Sequence, residues 1–296
     1  MKRPLTVLDG RPEDVLGAPR APFRGLTALW LQITGTWCNL ECSHCINASG
    51  PTQPWLRPLD AGTVRRAIDD GERLGVKEIY FTGGEPFLHR EILPLVAHAL
   101  AAAPTTVLTN GIAVTEPVAD ALAALAREAP YSLEIRVSLD DVDPVANDGI
   151  RGAGAWQGAV DAIRRLHARG LLPIVTATEI TGEGRGIYER FRDFLRSIGI
   201  AKPRVKIMPV FAIGRARVSD GPRLSEEMLE GFDTDLLQCS ESRVVAHGGV
   251  YACPILAGLS GARLSTGGLE EAFRPAPLYH AACATCHRTG MSCRNG

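Results

Sequence analysis

Two groups of cysteines dominate the chemistry available to this chain of 296 residues. Three of its eight cysteines fall within eight residues, and the other five lie in the last 58 residues. The first group is Cys38, Cys42 and Cys45, and the second is Cys239, Cys253, Cys283, Cys286 and Cys293. Such close spacing is typical of thiolates that bind a metal centre. The sequence therefore predicts two metal-binding regions.

The first group can hold more than one kind of metal centre. Three thiolates can bind a [4Fe–4S] cluster and leave one iron open to activate a small molecule. A zinc knuckle is the alternative, but zinc needs a fourth ligand. The nearest candidate is His44, which is adjacent to Cys45 and poorly placed to close on the same ion. Both centres remain open at this point.

Composition places the protein in a broad class. Lys and Arg total 32 against 33 Asp and Glu, so the net charge is −1. This balance argues against a non-specific nucleic-acid binder. No apolar run is long enough to cross a bilayer, and the first residues are too charged for a signal peptide. We therefore expect a cytoplasmic protein with neither a nucleic-acid nor a membrane partner, whose thiols stay reduced.

The elements that must position the cysteines alternate between short apolar runs and helical patterns. The predicted strands are 27–34, 78–82, 105–109, 133–138, 172–177 and 205–210. The predicted helices are 61–74, 91–103, 116–127, 155–169 and 186–197. Repeated β–α units predict an α/β fold with a parallel sheet, whose ligands bind at the carboxyl ends of the strands. The first cysteine group follows the first predicted strand directly.

The pattern changes after Gly214. Residues 215–238 are predicted to form a linker with a short helix, and 243–253 a hairpin turning at Gly248–Gly249. The remaining residues are rich in Gly, Ala and Cys with weak periodicity. A loop-rich tail of this kind buries little core and needs a staple, which the second cysteine group can supply as a metal site.

Cys-x3-Cys-x2-Cys after the first strand of a β/α chain resembles the radical SAM superfamily. Further motifs of that family follow at successive strand ends: Gly83-Gly84-Glu85-Pro86, Thr109-Asn110-Gly111, Ser138-Leu139-Asp140 and Gly214-Arg215-Ala216. The resemblance implies a partial (β/α)6 TIM-like barrel. It also implies that the open iron chelates S-adenosylmethionine (SAM), which is cleaved to a 5′-deoxyadenosyl radical that removes hydrogen from a substrate.

The same resemblance assigns site residues. Cys38, Cys42 and Cys45 would hold the cluster. SAM would be bound by His44, Gly83, Gly84, Glu85, Asn110, Ser138 and Asp140. His44 departs from the family pattern, which has an aromatic residue there to stack on adenine. The implied domains are an arm (1–26), a radical SAM core (27–216) and a small cluster-binding domain (217–296).

The second cysteine group resembles the twitch and SPASM extensions of that family, which hold auxiliary clusters. Five cysteines support one auxiliary [4Fe–4S] cluster. One ligand set is Cys239, Cys253, Cys283 and Cys286, which leaves Cys293 spare. The other replaces Cys253 by Cys293, which leaves Cys253 spare. A zinc ribbon is a further alternative, since paired cysteines serve zinc equally well.

These features suggest a reaction. An auxiliary cluster can accept an electron, giving oxidation, and a spare thiol of Cys253 or Cys293 can donate a hydrogen atom, giving epimerisation. The length and the segment 44–51 are similar to epimerases and dehydrogenases of aminoglycoside-type sugar biosynthesis. We therefore expect a sugar or aminocyclitol substrate, with a cationic aminosugar facing acidic residues, namely Asp140, Asp141, Asp143 and Glu179.

Two other functions stay open. The first is a maturase that introduces a crosslink or thioether into a ribosomally made peptide. Residues 1–26 are too short for the leader-binding module often fused to such enzymes, although that module can be a separate protein. The second is a metal-binding scaffold without catalysis. Either enzymatic function requires an external one-electron reductant such as flavodoxin or ferredoxin.

Overall fold

One twisted sheet organises the molecule. The computed structural model describes residues 15–52, 54–180, 182, 184–216 and 221–294. Its strands are β1 (Arg20–Ala21), β2 (Ala28–Gln32), β3 (Glu78–Thr82), β4 (Thr105–Thr109), β5 (Leu133–Ser138), β6 (Ile174–Glu179), β7 (Arg204–Pro209), β8 (Ser242–Ala246), β9 (Gly249–Tyr251), β10 (Arg263–Ser265) and β11 (Ala276–Pro277). Its helices are α1 (Ala61–Arg73), α2 (Ile92–Ala102), α3 (Glu116–Glu128), α4 (Pro144–Arg151), α5 (Ala155–Ala168), α6 (Arg185–Ser197) and α7 (Ala281–Thr289).

Strands β2 to β7 are parallel and neighbour one another in chain order. At least one helix separates each strand from the next. This singly wound arrangement is that of a partial (β/α)6 barrel, so the predicted fold class is confirmed. Every predicted strand and helix of this region is present, with ends that agree or shift by at most two residues. Helix α4 was not predicted. It has only eight residues, and it begins after Asp143, whose side chain caps it by accepting from the Ala146 amide.

The strands bury both faces. Leu29, Leu31 and Phe81 point toward the helices, in one large apolar core. On the opposite face Trp30 and Tyr80 stack with ring centroids 4.1 Å apart. Alternation along each strand thus separates a helix-packing face from the interior of the partial barrel.

The residues after 240 add three short strands to the same sheet. The predicted hairpin forms β8 and β9, but β8 also pairs in parallel with β2. In the described residues the main sheet has nine strands, in the order β10-β9-β8-β2-β3-β4-β5-β6-β7. The predicted linker with a short helix contains several one-turn 3₁₀ segments between 214 and 240.

The two ends of the described chain are fixed to its body. In the predicted arm, β1 pairs with β11, while residues 1–14 lie outside the described residues. At the other end, Arg294 forms ion pairs with Glu78 and Glu241 at the amino ends of β3 and β8. The last described residues therefore reach the amino ends of these strands. None of the described helices has the length and apolarity that a bilayer crossing requires.

Candidate active site

A cavity of about 260 Å³ opens at the carboxyl ends of the parallel strands. It is lined by the loop after β2, by the turns after β3, β4 and β5, and by the residues that follow β7. The predicted site residues that line it are Cys38, Cys42, His44, Cys45, Gly83, Gly84, Asn110, Ser138 and Cys293. Segments far apart in the sequence thus meet where the fold predicts a ligand.

The loop after β2 presents three thiols to this cavity. The amides of Leu40 and Ser49 donate to the sulfurs of Cys38 and Cys45, at 3.4 and 3.3 Å. Burial raises the pKa of Cys38 to about 12 and also raises that of Cys42. Burial thus opposes ionisation of Cys38 and Cys42, whereas the amides that donate to the sulfurs of Cys38 and Cys45 suit thiolates bound to iron.

Two glycines let other loops approach this thiol loop. A Cβ on Gly84 would lie 2.1 Å from the carbonyl oxygen of Trp37. Gly214 has φ of +63°, and a Cβ there would lie 2.2 Å from the carbonyl oxygen of Cys45. Only glycine allows such contacts. The turn after β3 and the exit of β7 are therefore pressed against the thiol loop.

Arg215 completes this attachment. Its Nε and Nη2 donate to the carbonyl oxygens of Cys42 and Ser49, both at 2.6 Å. Its own amide donates to the Cys45 carbonyl at 3.0 Å. The Gly-Arg-Ala motif noted in the sequence thus secures the conformation of the thiol loop.

Glu85 lies behind the cavity and not in its lining. Its carboxylate accepts from the Phe87 amide, the Thr109 hydroxyl and the Asn110 amide, at 3.0, 2.8 and 2.8 Å. Burial raises its pKa to about 7. The residue joins the turns after β3 and β4, and so it places Gly83 and Asn110 without facing the cavity itself.

Asp140 is also withdrawn from the cavity. One of its oxygens, Oδ2, pairs with His44 Nε2 at 2.9 Å and Arg151 Nε at 2.7 Å. The other accepts from the Thr178 amide at 2.8 Å. Arg151 and His44 hold the pKa of this buried carboxyl well below its usual range, against the desolvation that opposes ionisation. Asp140 therefore positions His44, which does line the cavity.

A second thiol site lies behind β8. Cys239, Cys253, Cys283 and Cys286 converge on a cavity of about 30 Å³, with apolar side chains around them. Burial raises the pKa of each of these thiols, that of Cys239 to about 12. Helix α7 supplies two of the four from a single face. These four cysteines are the first of the two predicted ligand sets.

Arg243 supplies a buried positive charge beside these thiols. It is completely buried, and its guanidinium donates to four carbonyl oxygens, among them those of Cys239 and Ala272 at 2.8 Å each. It makes no ion pair with a carboxylate of the described residues. Desolvation lowers its pKa to about 10, and the nearby Cys239 and Cys253 raise it. A cluster with four thiolate ligands carries net negative charge, which this cation would balance.

The arrangement of ligands distinguishes a cluster from a single zinc ion. Sulfurs 2.3 Å from one tetrahedral zinc lie within about 4 Å of each other. No three His, Cys, Asp or Glu side chains in the described ranges form a site for one ion. Cluster ligands bind separate irons and lie further apart, so both thiol groups fit a cluster better than zinc.

Cys293 lines the main cavity, and its thiol is also close enough to the second site to raise the pKa of Cys286. Its carbonyl oxygen accepts from Arg136 Nη1 at 2.6 Å, and its amide donates to Gln238 Oε1 at 2.8 Å. Burial raises the pKa of its thiol to about 12. Of the two cysteines predicted as a spare thiol, Cys293 is therefore the one in the cavity, while Cys253 lies with the other three.

The acidic residues expected to face a cationic substrate do not line this cavity. Asp141 pairs with Arg190 at 2.7 Å, and Asp143 caps α4. Glu179 accepts from the Gly184 amide at 2.6 Å. Each carboxylate, Asp140 included, is engaged by its own protein partners.

A sequence model of the radical SAM superfamily matches residues 33–198, more than half of the chain. The chain belongs to the radical SAM superfamily. It is therefore a radical SAM enzyme whose cofactors are SAM and [4Fe–4S] clusters, with an auxiliary cluster in addition to the radical SAM cluster, as predicted.

Relatives extend along nearly the whole chain. It is 28% identical over 301 residues to the mycofactocin maturase MftC of Mycobacterium ulcerans, covering 88% of this chain and 79% of that protein. The MftC of Mycobacterium tuberculosis is 29% identical over 323 residues, covering 92% and 79%. The PqqA peptide cyclase of Xanthomonas campestris is 33% identical over 116 residues, covering 39% of this chain and 29% of that one.

Solved structures share the fold. Streptococcus suis SuiB bound to S-adenosylmethionine superposes with a TM-score of 0.66 at 14% identity, covering 86% of this chain and 67% of that one. The polyhistidine-tagged anSMEcpe with bound AdoMet gives 0.60 at 13% identity, covering 84% and 77%.

Sequence reasoning missed Arg136, which lines the cavity from β5. In that strand Glu134, Arg136 and Ser138 alternate with buried apolar residues. A charged residue at an inward position between two polar neighbours was the available signal. Met208 and Phe211 also line the cavity, but nothing local distinguishes them from core residues.

Proposed function

We propose that this enzyme is a maturase that uses a 5′-deoxyadenosyl radical to modify a peptide. The observation that carries the proposal is the similarity to mycofactocin maturases over about nine-tenths of the chain. The peptide cyclases, matched over a shorter range, support the same substrate class. These relatives favour the peptide alternative over the expected sugar or aminocyclitol.

In this proposal Cys38, Cys42 and Cys45 hold the radical SAM cluster. SAM, bound at its open iron, supplies the radical that removes a hydrogen atom from the substrate. Gly83 and Gly84 offer backbone close to the thiol loop, where no side chain would fit. Asn110 and Ser138 offer polar side chains to the same ligand from the next two strand ends.

The remaining groups position these contacts. Glu85 ties the Asn110 turn to the Gly83 turn, and Asp140 fixes His44 toward the cavity. We assign the core to residues 27–216 and the auxiliary-cluster region to 217–296. In that region Cys239, Cys253, Cys283 and Cys286 hold the auxiliary cluster. An external one-electron donor such as flavodoxin or ferredoxin supplies the reducing electron.

The test uses the reconstituted holoenzyme with a short precursor peptide encoded beside its gene. After anaerobic incubation with SAM and dithionite, the peptide is analysed by tandem mass spectrometry. A modified residue, formed together with 5′-deoxyadenosine and lost in Cys42→Ala, supports the proposal. Formation of 5′-deoxyadenosine with every such peptide left unchanged, while an aminosugar is converted, contradicts it.

Epimerisation of a peptide residue is a second candidate, favoured by the position of Cys293 in the cavity. The thiol would give its hydrogen atom to the carbon radical from the opposite face. A C–H bond then forms as the S–H bond breaks, and the external electron donor and a proton restore the thiol. In D₂O the product would carry one deuterium at unchanged composition, whereas a crosslinked product would have lost two hydrogens.

A further inference from the structure

The cavity lining has an uneven charge distribution. Among the described residues that line it there are three arginines, Arg136, Arg151 and Arg215, and no Asp or Glu. Arg151 is paired with the buried carboxylate of Asp140 at 2.7 Å. Arg215 is committed to the carbonyl oxygens of the thiol loop. Arg136 is the arginine of this set that holds neither a carboxylate nor the thiol loop.

In the described part of the chain Arg136 donates hydrogen bonds to neutral groups, while the Glu134 carboxylate on the same strand acts on its charge from a distance. Its Nη1 donates to the Cys293 carbonyl at 2.6 Å, and its Nε lies 3.3 Å from the Thr176 hydroxyl. The residue is 2% exposed. Desolvation lowers the pKa of Arg136 despite Glu134, whose carboxylate is paired with Arg204, so a carboxylate from a ligand would stabilise the buried guanidinium.

We propose that Arg136 binds a carboxylate of the substrate. Its guanidinium presents a planar fork of donors, which matches the two oxygens of a carboxylate. Because the other two lining arginines are engaged by Asp140 and by the thiol loop, Arg136 alone suits one negative charge better than a phosphate dianion. Because Arg136 also holds the backbone of Cys293, it would place the carboxylate next to that thiol.

This inference deepens the proposed function and rests on it. A peptide that carries an acidic side chain or a free C-terminus near the reacting carbon is the substrate class expected. The charge of this substrate class is opposite to that of the aminosugar expected from the sequence, since the cavity would select an anion. The recognition itself can be tested without the natural substrate, so its failure is distinguishable from failure of the peptide proposal.

The test compares two alkylating reagents on Cys293 in the anaerobic holoenzyme, in which bound clusters protect the other cavity cysteines. Iodoacetate is anionic and iodoacetamide is neutral. The rate ratio of the two reagents at Cys293, measured by peptide mass spectrometry, is divided by the same ratio for free cysteine. Arg136→Gln should lower this ratio about tenfold, as expected for loss of one charge-assisted hydrogen bond.

Matched variants separate recognition from structure. Arg136→Lys keeps the charge and should keep most of the ratio, whereas a purely structural role predicts equal effects of Lys and Gln. Looser packing around Cys293 in Arg136→Gln would raise both rates and leave the ratio unchanged. Arg169→Gln changes a half-buried arginine that is bound to Glu116 and Asp120 and does not line the cavity, and it should match the wild-type ratio.

Competition identifies the anion. N-acetylalanine, with a terminal carboxylate, and N-acetylglutamate α-amide, with a side-chain carboxylate, are compared with N-acetylalanine amide and inorganic phosphate. Protection of Cys293 by either carboxylate supports the inference and names the source. Equal protection by the amide, stronger protection by phosphate, or an unchanged ratio in Arg136→Gln overturns it.

A second measurement decides the case if Cys293 resists both reagents. Saturation-transfer NMR detects weak binding of N-acetylalanine to the holoenzyme directly. A signal in the wild type that is absent in Arg136→Gln supports the inference. Equal signals in the two proteins overturn it.

Discussion

Buried charges around the cavity are each balanced in a different way. Asp140 is balanced by His44 and Arg151, and Arg243 by carbonyl oxygens and the nearby thiols. Because charges in a low-dielectric interior are costly when unpaired, removing one partner should cost more than an equivalent change at the surface.

Asp140→Asn tests this balance. The substitution leaves Arg151 and His44 without their shared carboxylate, and we expect the free energy of unfolding to fall by about 3 kcal/mol. SAM should also bind more weakly, since His44 loses its orientation. Asp161→Asn, which weakens a surface pair with Arg165 at 3.8 Å, is the matched control and should stay close to wild type. A loss below about 1 kcal/mol in Asp140→Asn would show that the pair does not stabilise the site.

The side chain of Lys206 should make the stability of the folded protein depend on pH. Desolvation and the nearby Arg136 lower its pKa from 10.5 to about 8. The folded protein therefore releases this proton before the unfolded chain does, and stability should rise as pH increases from 8 to 10.5. Relative to Lys206→Met, wild type should gain on the order of 1–2 kcal/mol over this range, after allowance for partial exposure. Thermal unfolding of both holoproteins across this range measures the difference, and parallel curves would contradict the assignment.

At the scale of elements, the strand ends explain why short motifs identified the site. Each parallel strand brings its following turn to one edge, so local sequence was enough to predict that Cys38, Gly83, Asn110 and Ser138 would meet. The orientation of side chains two positions further along was harder to predict. Glu85 lies behind the lining because it bonds to Thr109 and Asn110. Asp140 does so because it binds His44, Arg151 and the Thr178 amide.

Gly214→Ala tests the contact between the β7 exit and the thiol loop. The added methyl would clash with the Cys45 carbonyl at 2.2 Å, and the loop must move. We expect the variant to lose the radical SAM cluster and retain the auxiliary one, that is, to lose about four of about eight irons.

Gly231→Ala is the control for this variant. Gly231 has a similar φ of +72°, but a Cβ there meets nothing within 4 Å. It therefore carries the same backbone strain without the clash, and we expect full iron content. An equal loss of iron in the two variants would show that backbone strain, and not the contact with the thiol loop, causes the loss of the cluster.

At the scale of the whole molecule, long-range contacts are what the sequence could not reveal. Periodicity predicted the β–α units because their apolar stripes are local. It could not predict that β8 pairs with β2, or that Arg136 holds Cys293 across 157 residues. Neither contact leaves a local pattern, so the sequence left open which of Cys253 and Cys293 is the spare thiol.

The central claim is that Cys253 binds the auxiliary cluster and Cys293 does not, and iron content tests it most directly. Iron and acid-labile sulfide are measured per chain after anaerobic reconstitution of wild type, Cys253→Ala and Cys293→Ala. We expect about eight irons in wild type and in Cys293→Ala, and about four in Cys253→Ala. The opposite result, with about eight irons in Cys253→Ala and about four in Cys293→Ala, would make Cys293 a cluster ligand and contradict its place as a thiol of the reaction cavity.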